Sequence, residues 1–146
     1  MAIVQSPWGA LRRQTSVSGE AGAVKTERFT FTVPAGLTLL ANDIIELCVL
    51  PAYHTVVDAI LVIDEAGTAT YDVGLMSGTP GDTDQARTAG NELFAGAADA
   101  SATRMTKSAG FRIAPVQADR SIGVKVLGAS VVGAGQVIDL VLSIKQ

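Results

Sequence analysis

Apolar and polar side chains alternate along most of the chain after its first 26 residues. In the stretch ERFTFTV, the apolar side chains of Phe29, Phe31 and Val33 occupy every second position. The C-terminal stretch QVIDLVLSIKQ has the same two-residue period. Successive side chains of a β-strand point to opposite faces, so this period predicts strands with one face buried and the other toward solvent.

Seven or eight short strands are predicted, separated by turns rich in glycine. The clearest cover residues 27–33, 43–50, 55–64, 69–76, 111–116, 121–128 and 136–146. The tetrapeptide EAGT at 65–68 is typical of a hairpin turn. The pattern changes only in AGNELFAGAADA, where Asn91 can cap a short helix near 90–96 that carries Leu93 and Phe94.

This pattern favours an all-β fold, an antiparallel β-sandwich of jelly-roll type with one short helix, because each sheet has to bury its apolar face against the other. We expect residues 26–146 to form this single β-sandwich domain. The predicted core includes Phe31, Leu47, Leu61, Val124, Ile138 and Leu140.

Residues 1–25 show little periodicity and are predicted to be an extended N-terminal arm outside the core. This arm holds the only tryptophan, Trp8, beside Pro7, and Arg12 and Arg13 follow it. Tryptophan and arginine are enriched among interface anchors, so these four residues are the predicted partner contacts. We expect the arm to dock only against a neighbour, either another copy or a larger assembly; the alternative is a loose tail.

Composition and charge exclude several classes of protein. One cysteine and one histidine in 146 residues rule out a disulfide framework and a zinc site of Cys and His clusters. A net charge of −3 without a basic stripe argues against direct nucleic-acid binding. The sequence shows no secretory signal and no apolar run of membrane-spanning length, so we expect no membrane partner and no export.

The charge is distributed unevenly along the chain. Residues 29–99 contain ten acids and a single base, Arg87, whereas residues 100–146 contain six bases and two acids. Opposite charges on different parts of one chain can meet between copies, so this asymmetry favours self-association.

The stretch YDVGLMSGTPGDTD at residues 71–84 is a candidate ligand loop. It lacks the lysine of a phosphate loop, and no helix in a parallel unit follows its glycines. Asp82 and Asp84 are spaced like the first ligands of a calcium loop, but the later glycine and closing acid are missing. Turn formation explains the composition better, and no cofactor or metal is predicted.

Cys48, His54 and Asp58 are a candidate nucleophile, base and orienting acid. The simpler interpretation is a packed thiol, a histidine in a surface loop and an aspartate on the solvent face of a strand. The acidic residues are too dispersed to define a carboxylate pair. No catalytic residue is therefore predicted, and the protein is not expected to be an enzyme.

Four stretches resemble small virion proteins of tailed bacteriophages that decorate or cement the capsid shell. They are LCVLPAYHTVVDAILVID, YDVGLMSG, AGNELFAGAADAS and RSIGVKVLGAS, within residues 43–76 and 90–126. The resemblance implies a jelly-roll protein, commonly trimeric, on the outer surface of the capsid.

On this resemblance, the expected function is that of a capsid decoration protein, made in the host cytoplasm and bound to the major capsid protein as a homotrimer. The excursion after residue 76 would then be a contact surface. Two rival functions remain open, a jelly-roll module that binds carbohydrate or a receptor, and another virion component such as a tail or connector protein. A carbohydrate module would bring together aromatic side chains such as Trp8, Tyr53 and Tyr71 near loop ends.

Overall fold

The computed structural model of the chain describes residues 1–17, 22–64, 69–98, 101–128 and 132–146. The strands in these ranges are β1 (Ile3–Gln5), β2 (Val24–Thr32), β3 (Ile44–Leu50), β4 (Thr55–Ile63), β5 (Thr70–Leu75), β6 (Phe94–Ala98), β7 (Ala102–Arg104), β8 (Arg120–Leu127) and β9 (Val137–Lys145). A short helix, α1 (Ser108–Phe111), lies between β7 and β8. The hairpin turn predicted at 65–68 lies outside the described residues.

Strands β2 to β9 form one long antiparallel hairpin that is rolled up on itself. β2 pairs with β9, β3 with β8, β4 with β7 and β5 with β6, so these pairs are nested. The pairings of β4 with β9 and β5 with β8 join them into two sheets. The strand orders are β2-β9-β4-β7 and β1-β3-β8-β5-β6, with β1 parallel to β3. A nested hairpin rolled into two packed sheets is a jelly roll, which confirms the predicted fold class.

The core lies between the two sheets and follows the two-residue period of the sequence. In β9, Ile138, Leu140, Leu142 and Ile144 point inward, each at most 3% exposed. All six predicted core residues are buried, with Phe31 the most exposed of them at 6%. The strand register read from the sequence is therefore confirmed.

The two sheets differ in what covers their outer faces. All seven residues of β3 are buried, including Glu46 on the outer face. A bulge between Glu46 and Cys48 places both Leu47 and Cys48 in the core cluster. N-terminal residues and the segment after β5 contact this outer face, whereas β4 and β9 of the other sheet keep a half-exposed outer row.

The helix predicted near 90–96 is wrong, because residues 94–98 form β6 and pair with β5. A bulge in β6 explains the error. Phe94 pairs with Val73 and Ala97 pairs with Tyr71, so β6 advances three residues over the length in which β5 advances two. Gly96 takes a φ of 63° at this bulge. The apolar spacing of three that results resembles the period of a helix.

The strand predicted at 111–116 is also wrong. The helix α1 occupies residues 108–111, and irregular backbone follows it as far as residue 119. Of the apolar residues in this predicted strand, Ile113 is buried but Phe111 and Val116 are exposed. No helix in the described ranges is long and apolar enough to cross a membrane.

Candidate functional site

The N-terminal residues 2–16, here called the strap, run along the edge of the five-stranded sheet. Ile3–Gln5 pairs with residues 44–46 of β3. Farther along, the Thr15 hydroxyl donates to the carbonyl oxygen of Val49 over 2.7 Å. The backbone N–H of Ser16 then donates to Glu27 on β2. The strap thus crosses from one sheet to the other on its own molecule.

Trp8 fixes the strap to the core at the sandwich edge. Its ring meets that of Phe29 edge-on, with the centroids 5.2 Å apart and the planes at 85°. The guanidinium carbon of Arg13 lies 5.2 Å from the Trp8 centroid, a cation–π distance. The expectation that this segment docks only against a neighbour is therefore wrong: Phe29 offers an apolar site within the same chain.

The four predicted contact residues lie together in one turn, residues 7–13, here called the strap turn. The N–H groups of Arg12 and Arg13 both donate to the carbonyl oxygen of Pro7. Pro7, Arg12 and Arg13 are exposed, while Trp8 is half-buried. The proline and the two arginines are therefore accessible to a partner, whereas much of the tryptophan side chain is buried against its own chain.

Gly9 allows the strap turn to approach the sheet closely. A methyl group at this position would lie 2.0 Å from the carbonyl oxygen of Glu46, which is far inside van der Waals contact. The Ser6 N–H donates to that same carbonyl, and the Ser6 hydroxyl donates to the carbonyl of Leu47. The docked position therefore requires glycine.

Glu46 is the centre of a buried polar cluster beneath the strap. Its Oε1 accepts hydrogen bonds from Arg87 Nη2 at 2.8 Å, from the Ser121 hydroxyl and from the Gly81 N–H. Its Oε2 accepts one from Gln5 Nε2 at 2.7 Å. These donors come from the strap, from β8 and from the segment after β5. One carboxylate thus joins three separate parts of the chain to β3.

The ionisation of Glu46 follows from this environment. Burial acts to raise the pKa of the carboxyl group, but the hydrogen bonds from Arg87, Ser121, Gln5 and Gly81 outweigh it and hold the pKa below its ordinary value. Glu46 is therefore a buried carboxylate at neutral pH, compensated by the Arg87 guanidinium.

Arg87 organises the candidate ligand loop of residues 71–84 and its continuation. Its Nε donates to the Ser77 carbonyl and its Nη1 to the Asp82 carbonyl. The carboxylates of Asp82 and Asp84 accept the N–H groups of Asp84 and Ala86, respectively. These bonds are the turn chemistry predicted from the sequence. The excursion is folded onto the sheet by a buried arginine.

The candidate triplet of Cys48, His54 and Asp58 serves the fold. Burial, and secondarily the charge of Glu27, raise the pKa of the Cys48 thiol, which disfavours the nucleophilic thiolate. His54 is only 3% exposed, so its interpretation as a surface histidine is wrong; its Nδ1 lies 2.9 Å from the Ala52 carbonyl oxygen. Asp58 pairs with Arg104 at 2.7 Å, and hydrogen bonding from that arginine lowers its pKa. No group of three potential metal-ligating side chains occurs among the described residues.

Sequence reasoning missed Glu46 and Arg87 as a pair. Two signals could have found them: Arg87 is the single base in residues 29–99, and Glu46 is the only acid inside the strand IIELCVL. A lone charge in an apolar strand requires a partner, and Arg87 is the one base within the acidic stretch of residues 29–99.

The protein is a jelly-roll β-sandwich with a strap fixed to its own sheet. A comparison with solved structures shows the family to which it belongs. A chain in the capsid of Ralstonia phage GP4 is 42% identical, with a TM-score of 0.91, over 99% of this chain and 98% of that one. The protein belongs to the same family of phage capsid-associated proteins as this GP4 chain. That membership supports a structural rather than an enzymatic role, in the virion.

Two further capsid structures share the fold at low identity. A chain of the cyanophage Pam1 capsid is 14% identical with a TM-score of 0.53, over 92% of this chain and 94% of that one. A chain of the acidic stable capsid of Helicobacter pylori bacteriophage KHP30 is 14% identical with a TM-score of 0.54, over 87% and 90%. No family model matches the sequence, and no curated protein matches it.

Proposed function

We propose that this protein is a capsid decoration protein that binds the outer surface of a tailed-phage head and stabilises the assembled shell. The observation that carries the proposal is the match to the GP4 capsid chain over nearly the full length of both chains. Its partner is the major capsid protein, and it acts as a homotrimer on the virion surface. Stabilisation comes from area buried across subunit junctions, multiplied by many copies and by avidity within the trimer.

The hydrogen bonds that hold the proposed contact segments to the sheet support this role. The strap and the segment after β5 are both fixed to β3 through Glu46. A preorganised surface loses little conformational entropy on binding. Pro7, Arg12 and Arg13 stay exposed on this surface and are the proposed contacts, together with the exposed part of Trp8.

The rival carbohydrate-binding function has less support. It predicts a cluster of aromatic side chains near loop ends. Tyr71 is fully buried, and Trp8 packs on Phe29. Tyr53 is 51% exposed, in a connection that bonds to Val116. These three rings do not form a common platform for a sugar.

The test is reconstitution on phage heads that lack the protein. Purified protein is added to such heads, which are then pelleted, and bound protein and the temperature of DNA release are measured. We expect saturable binding and a higher release temperature. Failure to bind intact heads, or binding only to isolated tails, would overturn the decoration role and favour a tail or connector component. Sedimentation of the free protein at micromolar concentration tests the trimer.

A further inference from the structure

Strand β2 is a long and regular free edge of the four-stranded sheet. Of the four edge strands in the described ranges, β1 and β7 have three residues each, and β6 has five with a bulge. Strand β2 has nine residues, and its register with β9 is unbroken from Val24 to Thr32. Short or bulged edges resist pairing with another strand, whereas a long regular edge is a template for it. Only β2 offers such a template in the part of the chain that the structure describes.

The backbone of β2 directs alternate N–H and C=O groups away from the sheet. The Val33 N–H donates to the carbonyl oxygen of Gln136 over 2.9 Å, which continues the pairing of β2 with β9. Hydrogen-bonded and non-hydrogen-bonded pairs alternate along an antiparallel ladder, so the odd-numbered residues of β2 bind β9. The N–H and C=O groups of Val24, Thr26 and Arg28 therefore point outward. No described residue binds them, and these three residues are exposed.

The charges on β2 select a second copy as the strand that fits this edge. In the sequence VKTER at residues 24–28, Lys25 and Glu27 lie symmetrically about Thr26. If two copies pair antiparallel with Thr26 opposite Thr26, each Lys25 lies opposite the Glu27 of the other copy. Directly opposed side chains of opposite charge stabilise a strand pair. The four charges alternate in sign around the two-fold axis, because the like charges occupy the diagonals.

The remaining charge of β2, Arg28, agrees with this register. It lies opposite Val24 of the second copy, and that valine, 52% exposed, can pack on the aliphatic part of the arginine. The next residue in the same row is Lys145 on β9, two strand spacings or about 10 Å from this arginine, where salt screens the repulsion. On its own molecule Arg28 pairs with Val141 and lies diagonal to Asp139. A register centred on Arg28 would instead oppose two guanidinium groups directly.

We propose that two copies of this protein pair edge to edge through β2, antiparallel and centred on Thr26. The two pairs of Val24 with Arg28 and the central pair of Thr26 with Thr26 exchange about six backbone hydrogen bonds. The contact is isologous, whereas a cyclic trimer closes through heterologous contacts. It is therefore additional to the homotrimer of the proposed function and joins neighbouring trimers. Residues 24–28 form a small contact, which the high local concentration on a shell strengthens.

Disulfide trapping tests the pairing and its register. In a hydrogen-bonded antiparallel pair the Cα atoms lie about 5.5 Å apart, within the range of a disulfide. Thr26→Cys should therefore give covalent dimers under mild oxidation, measured on a non-reducing gel, in concentrated solution or on phage heads. Thr32→Cys is the matched control on the same face of β2, because this register separates the two Thr32 positions by about 40 Å along the strands. Wild-type protein, whose single cysteine, Cys48, is buried, should give none.

Charge reversal tests why a second copy fits the edge. In the Thr26→Cys background, Lys25→Glu should slow cross-linking by roughly tenfold, because it opposes two pairs of carboxylates. Adding Glu27→Lys exchanges the two charges and should restore the rate. Arg112→Glu, at an exposed base outside β2, is the matched control and should leave the rate unchanged. Circular dichroism verifies that every variant keeps its β spectrum.

The outcomes separate this contact from the decoration role. Equal dimer yields from Thr26→Cys and Thr32→Cys, or none from Thr26→Cys in either setting, would overturn the edge contact. Cross-linking that Lys25→Glu leaves unchanged would overturn the charge-selected register. Binding of the wild type to phage heads is measured separately, so heads that bind the protein without cross-linking leave the decoration role standing. Cross-linking in solution by a protein that heads do not bind would support the edge contact and overturn decoration.

Discussion

Arg87 and Glu46 form an ion pair that is almost completely withdrawn from solvent. Nη2 of the arginine lies 2.8 Å from Oε1 of the glutamate, and their side chains are 3% and 0% exposed. The two residues are 41 positions apart, in the segment after β5 and in β3. The pair links that segment to the sheet, and the same carboxylate accepts a hydrogen bond from Gln5 of the strap.

Replacing Arg87 with methionine should destabilise the protein strongly. The change leaves the Glu46 carboxylate buried without its cation, and the loss of one partner from a buried pair costs about 3–5 kcal/mol. Urea unfolding followed by circular dichroism measures the free energy of unfolding. Arg104→Met is the control, because its pair with Asp58 is solvent-exposed and should matter little.

The double variant Glu46→Gln with Arg87→Met should be more stable than Arg87→Met alone. The neutral amide has no charge to compensate and can still accept bonds from Ser121 and Gly81. If the double variant is instead less stable by the sum of both single effects, the two side chains do not act as a pair.

Lowering the pH should remove the contribution of the Glu46 carboxylate to the free energy of unfolding. Its pKa in the folded protein lies below the ordinary value of 4.5. The unfolded chain therefore binds the proton more readily, so the carboxylate stabilises the fold above the unfolded-state pKa, and this stability is lost as the pH falls through the folded-state pKa. In urea titrations from about pH 7 to about pH 3, wild type and Glu46→Gln should differ at neutral pH and converge in acid. A constant difference would contradict the mechanism.

Leu140→Ala should cost about 2–5 kcal/mol, because it removes a fully buried side chain from the centre of the core. Val24→Ala, at a side chain 52% exposed in the adjacent strand, should change the free energy of unfolding by less than about 0.5 kcal/mol. Denaturant midpoints compare the two. Similar midpoints for both variants would mean that Leu140 does not face the core.

The six strands of six or more residues could be predicted from the sequence, and the three shorter ones, β1, β6 and β7, could not. β2, β4 and β9 keep an open outer face, so their side chains alternate and the period of two is visible. β6 carries a bulge that changes its apolar spacing to three and imitates a helix. β1 has only three residues and depends on β3, so no local pattern marks it.

The candidate contact site was predictable only in part. Trp8 and Arg12 stand out by residue type, and the structure places them in one turn. The turn lies on its own sheet because of contacts with Phe29 and Glu46 and the close approach at Gly9. Phe29 and Glu46 are distant in sequence from the turn, and a glycine gives no signal by its residue type. Such long-range packing has no local sequence signal. The division into an arm of residues 1–25 and a domain of 26–146 stays a prediction.

Gly9→Ala should release the strap without unfolding the sandwich. The added methyl group would lie 2.0 Å from the Glu46 carbonyl oxygen, whereas Gly133, with nothing within 4 Å, provides a matched control in Gly133→Ala. Because Trp8 is the only tryptophan and packs on Phe29, its fluorescence reports docking directly. We expect red-shifted emission and greater quenching by iodide in Gly9→Ala, with an unchanged β spectrum. Wild-type emission in that variant would show that the strap tolerates a side chain at residue 9 and is not held by this close approach.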